Sequence, residues 1–184
     1  TIKLEKKMVS QVEIGAVTHN YYEIEALQLA EGRFFNEAES VSGTHVIILG
    51  HEIAQNLFGE SEPLRKEIRM YGQRFTVIGV LKKEGAGLFG GSKDTAVFLP
   101  VNVLRRIYGD NNKSAISQII IKPEEGVDNA EFIAILTQKR RNYRALKPDE
   151  VSNFFVNQLQ GFADLIDNIT GQLNLMGLVI SGFS

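Results

Sequence analysis

The apolar residues between Val151 and Ser184 keep a spacing that no other segment of the chain sustains. Phe155, Leu159, Phe162, Ile166, Ile169, Leu173, Met176 and Ile180 follow one another at alternating steps of four and three. The residues between them are mostly small or polar, among them Asn157, Gln158, Gln160, Asp164, Asp167, Asn168 and Gln172. This heptad seam predicts a helix with one narrow apolar edge. Such an edge asks for one partner helix rather than a broad core. No other segment offers a matching seam, which leaves a second copy of the chain, a helix upstream of Thr1, or a fold back onto the helix's own domain. From Leu173 onward only Asn174, Ser181 and Ser184 are polar. A bilayer span needs about 20 apolar residues, so this stretch is expected to be the first half of a membrane helix cut short.

The rest of the chain reads as folded protein. Of 184 residues, 43% are hydrophobic and 23% charged, enough to bury a core in one or two compact units. The 20 basic residues are dispersed among 22 acidic ones, for a net charge of -2, which argues against nucleic acid as a partner. Cys is absent, so neither a disulfide framework nor a thiolate metal site exists. The chain begins at Thr1 with no charged n-region or apolar h-region, so it is expected to be a mature or excised piece carrying no targeting signal.

Apolar Ile2, Leu4, Met8, Val12, Ile14 and Ala16 alternate with polar neighbours, the period of half-buried strands, with a hairpin near Lys6-Lys7. Asn20 is expected to cap a short helix through Leu27, Gly32 to end that excursion before Phe34-Phe35, and Asn36 with Glu39 to form a second capped turn. Val46 to Leu49 predicts a strand, Gly50 a turn, and His51 to Phe58 a helix closed by Gly59. Glu67 to Tyr71 and Arg74 to Lys83 predict strands around a Gly72-Gln73 hairpin turn. Thr95 to Leu99 is expected as a strand, with Pro100 opening a helix from Val101 to Tyr108. Ile116 to Lys122 alternates as a strand, Asp128 caps a helix to about Arg141, and Tyr143 to Lys147 is the next expected strand.

Several motifs invite a chemical reading and fail on context. Gly85-Ala86-Gly87-Leu88-Phe89-Gly90 matches the dinucleotide fingerprint letter for letter, but that motif needs a helix next, and the residues after it predict a strand. No Lys-Ser or Lys-Thr follows, so a phosphate-cradling loop fails as well. The segment is expected to be a flexible hairpin tip that offers Leu88 and Phe89 to another protein, or else folds onto its own sheet. His51-Glu52 resembles the start of a zinc-protease motif, yet position 55 is Gln, and with His19 and His45 the only other histidines no metal set can be assembled. No Gly-X-Ser-X-Gly elbow anchors a hydrolase triad. Glu124-Glu125 and Glu37-Glu39 read as solvated turns. Lys139-Arg140-Arg141 with Arg144 reads as a cluster complementing a helix C-terminus, and secondarily as a contact for anionic lipid or an acidic partner. No catalytic residue, cofactor site or metal site is assigned.

The order of features is nonetheless specific. Gly15-Ala16-Val17-Thr18-His19-Asn20-Tyr21-Tyr22, then Leu29-Ala30-Glu31-Gly32-Arg33-Phe34-Phe35, Val46-Ile47-Ile48-Leu49-Gly50, Phe75-Thr76-Val77-Ile78-Gly79-Val80 and Val97-Phe98-Leu99-Pro100 resemble, in order and over nearly the whole chain, the extracytoplasmic core domain of MacB-type, FtsX-like ABC transporter permeases. The resemblance implies an α+β fold. It has a porter-like part of strand-helix-strand units (1–19 and 115–150), an inserted sabre-like part of mixed β structure (20–114), and a stalk helix running into the membrane (151–184). A strand-helix unit and a descending stalk helix that the family places before Thr1 are missing.

No ATPase part is present, so the resemblance implies no enzyme. It implies a periplasmic domain of a bacterial inner-membrane exporter that relays cytoplasmic ATP-driven motion, paired with its own transmembrane and ATPase parts, with a second permease copy and with a periplasmic adaptor protein. The alternative is a binding module that captures a lipoprotein, peptide or amphiphile in an apolar cleft lined by Phe34, Phe35 or Phe98.

Overall fold

Period-two alternation over the first hundred residues does produce strands. The computed structural model describes residues 1–4, 7–10, 12–85, 92–109, 118–124, 126–147, 150 and 156. Among these the strands are β1 (Ile2–Leu4), β2 (Lys7–Val9), β3 (Glu13–Val17), β4 (Leu29–Gly32), β5 (Val46–Leu49), β6 (Glu67–Met70), β7 (Gln73–Leu81) and β8 (Ala96–Pro100). The helices are α1 (Tyr21–Ile24), α2 (Glu37–Ser42), α3 (His51–Phe58), α4 (Val101–Tyr108) and α5 (Asn129–Tyr143). The chain forms two compact units, Thr1–Ile121 and Lys122–Ser184.

The first unit is one mixed sheet in the order β2-β1-β6-β7-β5-β8-β3, with β4 paired to the far half of β7. The long strand β7 is its spine, pairing antiparallel with β6 and β4 and parallel with β5. The parallel β5–β7 pair is joined through α3, and β3 lies parallel to β8. Alternation sends side chains to both faces. On one face Ile2, Ile47, Leu49, Phe75, Val77, Val97 and Leu99 pack under Ile53 and Leu57 of α3 and Val103 of α4. On the other, Val46, Ile48, Leu81, Ala96 and Phe98 pack with Leu27 and Phe35. Gly15 occurs in mid-strand because the Phe98 ring lies over it; a Cβ there would meet that ring at 2.6 Å.

Local signals account for most boundaries. Asn36 and Glu39 form a reciprocal capping box, each accepting the other's backbone N–H at 2.9 Å. Glu39 is also held bidentately by Arg33 at 2.7 Å, and that hydrogen-bonded pair keeps its carboxyl below the usual range. Met70 faces Gln73 across a two-residue turn in which Tyr71 (φ 53°) and Gly72 (φ 73°) are both left-handed, the hairpin geometry suited to strand twist. A left-handed Tyr is strained; its ring rests edge-on against Tyr108, with centroids 5.6 Å apart.

Three expectations are corrected. The helix after Asn20 stops at Ile24, and Asn20 gives no side-chain cap; Ala26 turns left-handed and Leu27 is drawn into the second core cluster instead. Residues 118–122 form no strand, because nothing among the described residues pairs with them, and Ile119, Ile120 and Ile121 stand 73%, 38% and 45% exposed. Residues 143–147 form no strand either. The amides of Ala145 and Leu146 bond back to Asn142 and Arg141, engaging the backbone in closing α5. The strands of residues 1–17 share one sheet with those of residues 29–100, within the unit Thr1–Ile121.

In the second unit, Asp128 caps α5 by accepting from the Glu131 amide at 2.8 Å. No residue of α5 is fully buried. No helix among the described residues is long and apolar enough to cross a membrane. The seam residues Phe155, Leu159, Phe162, Ile166, Ile169, Leu173, Met176 and Ile180 lie outside the described residues, as do Leu88 and Phe89.

Candidate functional site

The glycine-rich segment is bounded by Gly85 and Ser92, and both boundaries are fixed by one side chain. Asp94, in the 3-10 turn Lys93–Thr95 that leads into β8, is 1% exposed. One carboxylate oxygen accepts the Glu84 amide at 3.0 Å and the other the Gly85 amide at 2.8 Å, while the Ser92 hydroxyl accepts the Asp94 amide at 3.1 Å. Burial works against its charge. The Glu84 and Gly85 amides and the nearby His51 outweigh it and hold the carboxyl below its ordinary value. The clamp therefore joins the stem that leaves β7 to the one that enters β8.

The clamp is backed by the start of α3. Gly50 donates its N–H to the Ala96 carbonyl at 2.8 Å, and a Cβ on Gly50 would lie 2.3 Å from the Lys93 carbonyl oxygen and 2.4 Å from that of Asp94. Around the same stems, Lys93 pairs with Glu25 at 3.4 Å and Glu84 at 3.9 Å. Tyr21, packed against Phe98 at 5.6 Å between ring centroids, has its phenol pushed up to about 12 by burial and then by Glu25, Glu13 and Glu84. This constellation is acidic and tightly bonded. It holds a loop.

The other sequence candidates disperse. His51 opens α3 and Glu52 follows it on the same helix. His45 packs beside the Phe75 ring at 5.3 Å. Among the described residues no group of three His, Asp or Glu could hold a metal ion. Arg140 lies over the Tyr143 ring at 5.7 Å, and Arg141 donates to the carbonyls of Lys147 and Glu150, so part of that basic cluster closes α5. The apolar cleft expected of a binding module does not form from its named residues. Phe35 and Phe98 are 2% and 4% exposed in the second core cluster, and Phe34 stacks on Phe35 and Tyr22. Two open concavities on the surface, of about 370 and 510 Å³, are lined instead by Val41, Asn102, Arg105 and Arg106 and by Lys3, Leu4, Lys66, Glu67, Arg69 and Arg74. Sequence reasoning missed Asp94. Its signal was the Ser92-Lys93-Asp94 run beside the glycines, where a short polar side chain can cap a turn.

The family model for the MacB-like periplasmic core domain matches residues 2–139. Among curated relatives, the macrolide export ATP-binding/permease protein MacB of Neisseria gonorrhoeae is 27% identical over 162 residues, covering 87% of this chain and 24% of the relative. That of Chlorobaculum tepidum is 27% identical over 177 residues, covering 95% of this chain and 26% of the relative. The chain thus spans about a quarter of the length of the curated relatives it matches. Among solved structures, the periplasmic region of MacB from Actinobacillus actinomycetemcomitans superposes with a TM-score of 0.67 at 19% identity, over 91% of this chain and 71% of that one. The extracellular domain of the ABC-type transporter YknZ from Gram-positive bacteria gives 0.61 at 21% identity, over 79% and 71%. At these identities the likeness is one of fold.

Proposed function

The chain belongs to the family of MacB-like periplasmic core domains, and on that premise we propose that it is the mechanical coupler of an ABC exporter, relaying ATP-driven motion of cytoplasmic parts to substrate release outside. The observation that carries this reading is a sheet packed by one core cluster on one face and by a second over the β4, β5 and β8 side of the other, with its named aromatic residues committed to packing and not to a ligand cleft. Such a body moves as a unit, because packed cores do not deform continuously. The heptad seam from Phe155 to Ile180 supplies the lever by its pattern, pairing with the stalk of a second permease copy or with a preceding helix.

In the full-length transporter, Phe162→Asp with Ile169→Asp is expected to abolish export while leaving most ATP hydrolysis intact. Transport and ATPase rates measured side by side in proteoliposomes check it, and export that survives both changes refutes the lever.

The clamped glycine-rich tip is the natural point for an adaptor protein to touch. Leu88 and Phe89 sit between glycines in sequence, and Asp94 fixes where their stems leave the sheet. A Phe89→Cys variant carrying a short bifunctional cross-linker in cells is expected to yield an adduct with a periplasmic adaptor. An adduct-free result with the variant labelled and folded removes this contact and leaves the coupler reading untouched.

A further inference from the structure

On the sheet face that carries the second core cluster, no described core residue packs over β1, β6 or the start of β7. Strand pairing there places three cations in one row: Lys3 is directly opposite Arg69, and Arg69 directly opposite Arg74. All three are exposed, and Lys66 lines the same 510 Å³ concavity. Like charges directly opposite one another destabilise a sheet, so the fold does not account for this row. Glu67 offsets only one end of it, through a 3.4 Å pair with Arg74; among the described residues Lys3 and Arg69 have no ion-pair partner. The chain as a whole is slightly acidic, with a net charge of -2, which makes the concentration local.

We propose that this row is a docking surface for an acidic helix of a partner protein. Neighbouring strands lie about 4.8 Å apart, so the row spans about 10 Å over three strands. Carboxylates at i, i+4 and i+7 of a helix cover about 10.5 Å at 1.5 Å per residue, which matches the row laid across the strands. An extended acidic strand presents same-face side chains every 6.6 to 6.8 Å or so and falls out of step with it. Met8, paired opposite Lys3 and 62% exposed, ends the row with an apolar contact, which suits an amphipathic helix. Glu67 within the concavity disfavours a uniformly anionic surface such as a membrane. The inference is independent of the coupler reading.

The test is fluorescence anisotropy of a dye-labelled helical peptide bearing Glu at i, i+4 and i+7, titrated with the 184-residue chain. At about 0.1 M salt the Debye length is about 10 Å, close to the length of the row. Arg69→Glu is expected to weaken binding at least tenfold while raising Tm by about 2 °C, because it relieves repulsion with both neighbours. Lost binding with a raised Tm cannot come from a damaged fold. Unchanged peptide binding in Arg69→Glu overturns the proposal, as does equal affinity for a peptide of the same charge with scrambled spacing. Phosphatidylglycerol vesicles that displace the peptide and depend equally on Arg69 would reassign the surface to the membrane and overturn it too.

Discussion

Gly50→Ala is expected to destabilise the first unit by about 3 kcal/mol, at the upper end for overpacking. The backbone at Gly50 is ordinary, with φ -65° and ψ 155°, so the cost is one of space alone. A Cβ there would stand 2.3, 2.4 and 2.7 Å from the carbonyl oxygens of Lys93, Asp94 and Ala96. These are main-chain atoms, two of them in the turn clamped by Asp94, and they cannot swing aside as a flexible side chain would. Relief must come from moving the start of α3 off β8, which also breaks the Gly50 to Ala96 hydrogen bond. Urea unfolding measures the loss as a lowered midpoint at unchanged slope. Gly72→Ala is the comparison, since φ is 73° but nothing lies within 4 Å; strain without a clash costs about 1 kcal/mol. Equal losses in the two variants would show that the contact at Gly50 yields.

The same residue shows what a sequence discloses and what it withholds. Gly50 read correctly as the turn between Val46–Leu49 and His51–Phe58, because local pattern and local geometry agree there. The capping box at Asn36 and Glu39 and the cap at Asp128 were legible for the same reason, each lying within four residues of what it satisfies. Long-range partners were not legible. Ile116 to Lys122 alternates like a strand, but pairing depends on a neighbour elsewhere in the chain, and residues 118–122 have none among the described residues. The pairings of β1 with β6 and of β3 with β8 are long-range in the same way. The cationic row could not be seen at all, since Lys3 and Arg69 become neighbours only once β1 and β6 are in register.

The coupler proposed above would need its contact points held in fixed relation to the core. The Asp94 clamp ties the stems at Glu84–Gly85 and Ser92–Thr95 to one another and, through Gly50, to the start of α3. The acidic surroundings of Tyr21, Glu25 and Glu84 lie at the foot of the tip, and Lys93 sits among them. The cationic row occupies other strands of the same sheet. On the proposed reading, two surfaces of opposite charge on different strands of one sheet would serve different partners by electrostatic complementarity.

Asp94→Asn is expected to cost about 2 to 3 kcal/mol and to loosen the glycine-rich tip. The two shapes are nearly identical, but the amide replaces one accepting oxygen with a donor, which then faces either the Glu84 or the Gly85 N–H. The loss has a defined pH signature. The folded carboxyl lies below its ordinary 3.8, so the unfolded chain binds the proton first as pH falls. The stabilisation from charged Asp94 is thus full above about pH 4 and drains away as pH drops through the folded value. The gap in unfolding free energy between the native chain and Asp94→Asn should therefore be constant from neutral pH down to about 4 and narrow below it. Chymotryptic cleavage after Phe89 at neutral pH supplies the local readout, and it should accelerate in the variant more than global unfolding explains, because the stems are released before the sheet opens. A gap that stays constant to pH 2, or a cleavage rate that tracks global stability alone, would remove Asp94 as the anchor of the tip.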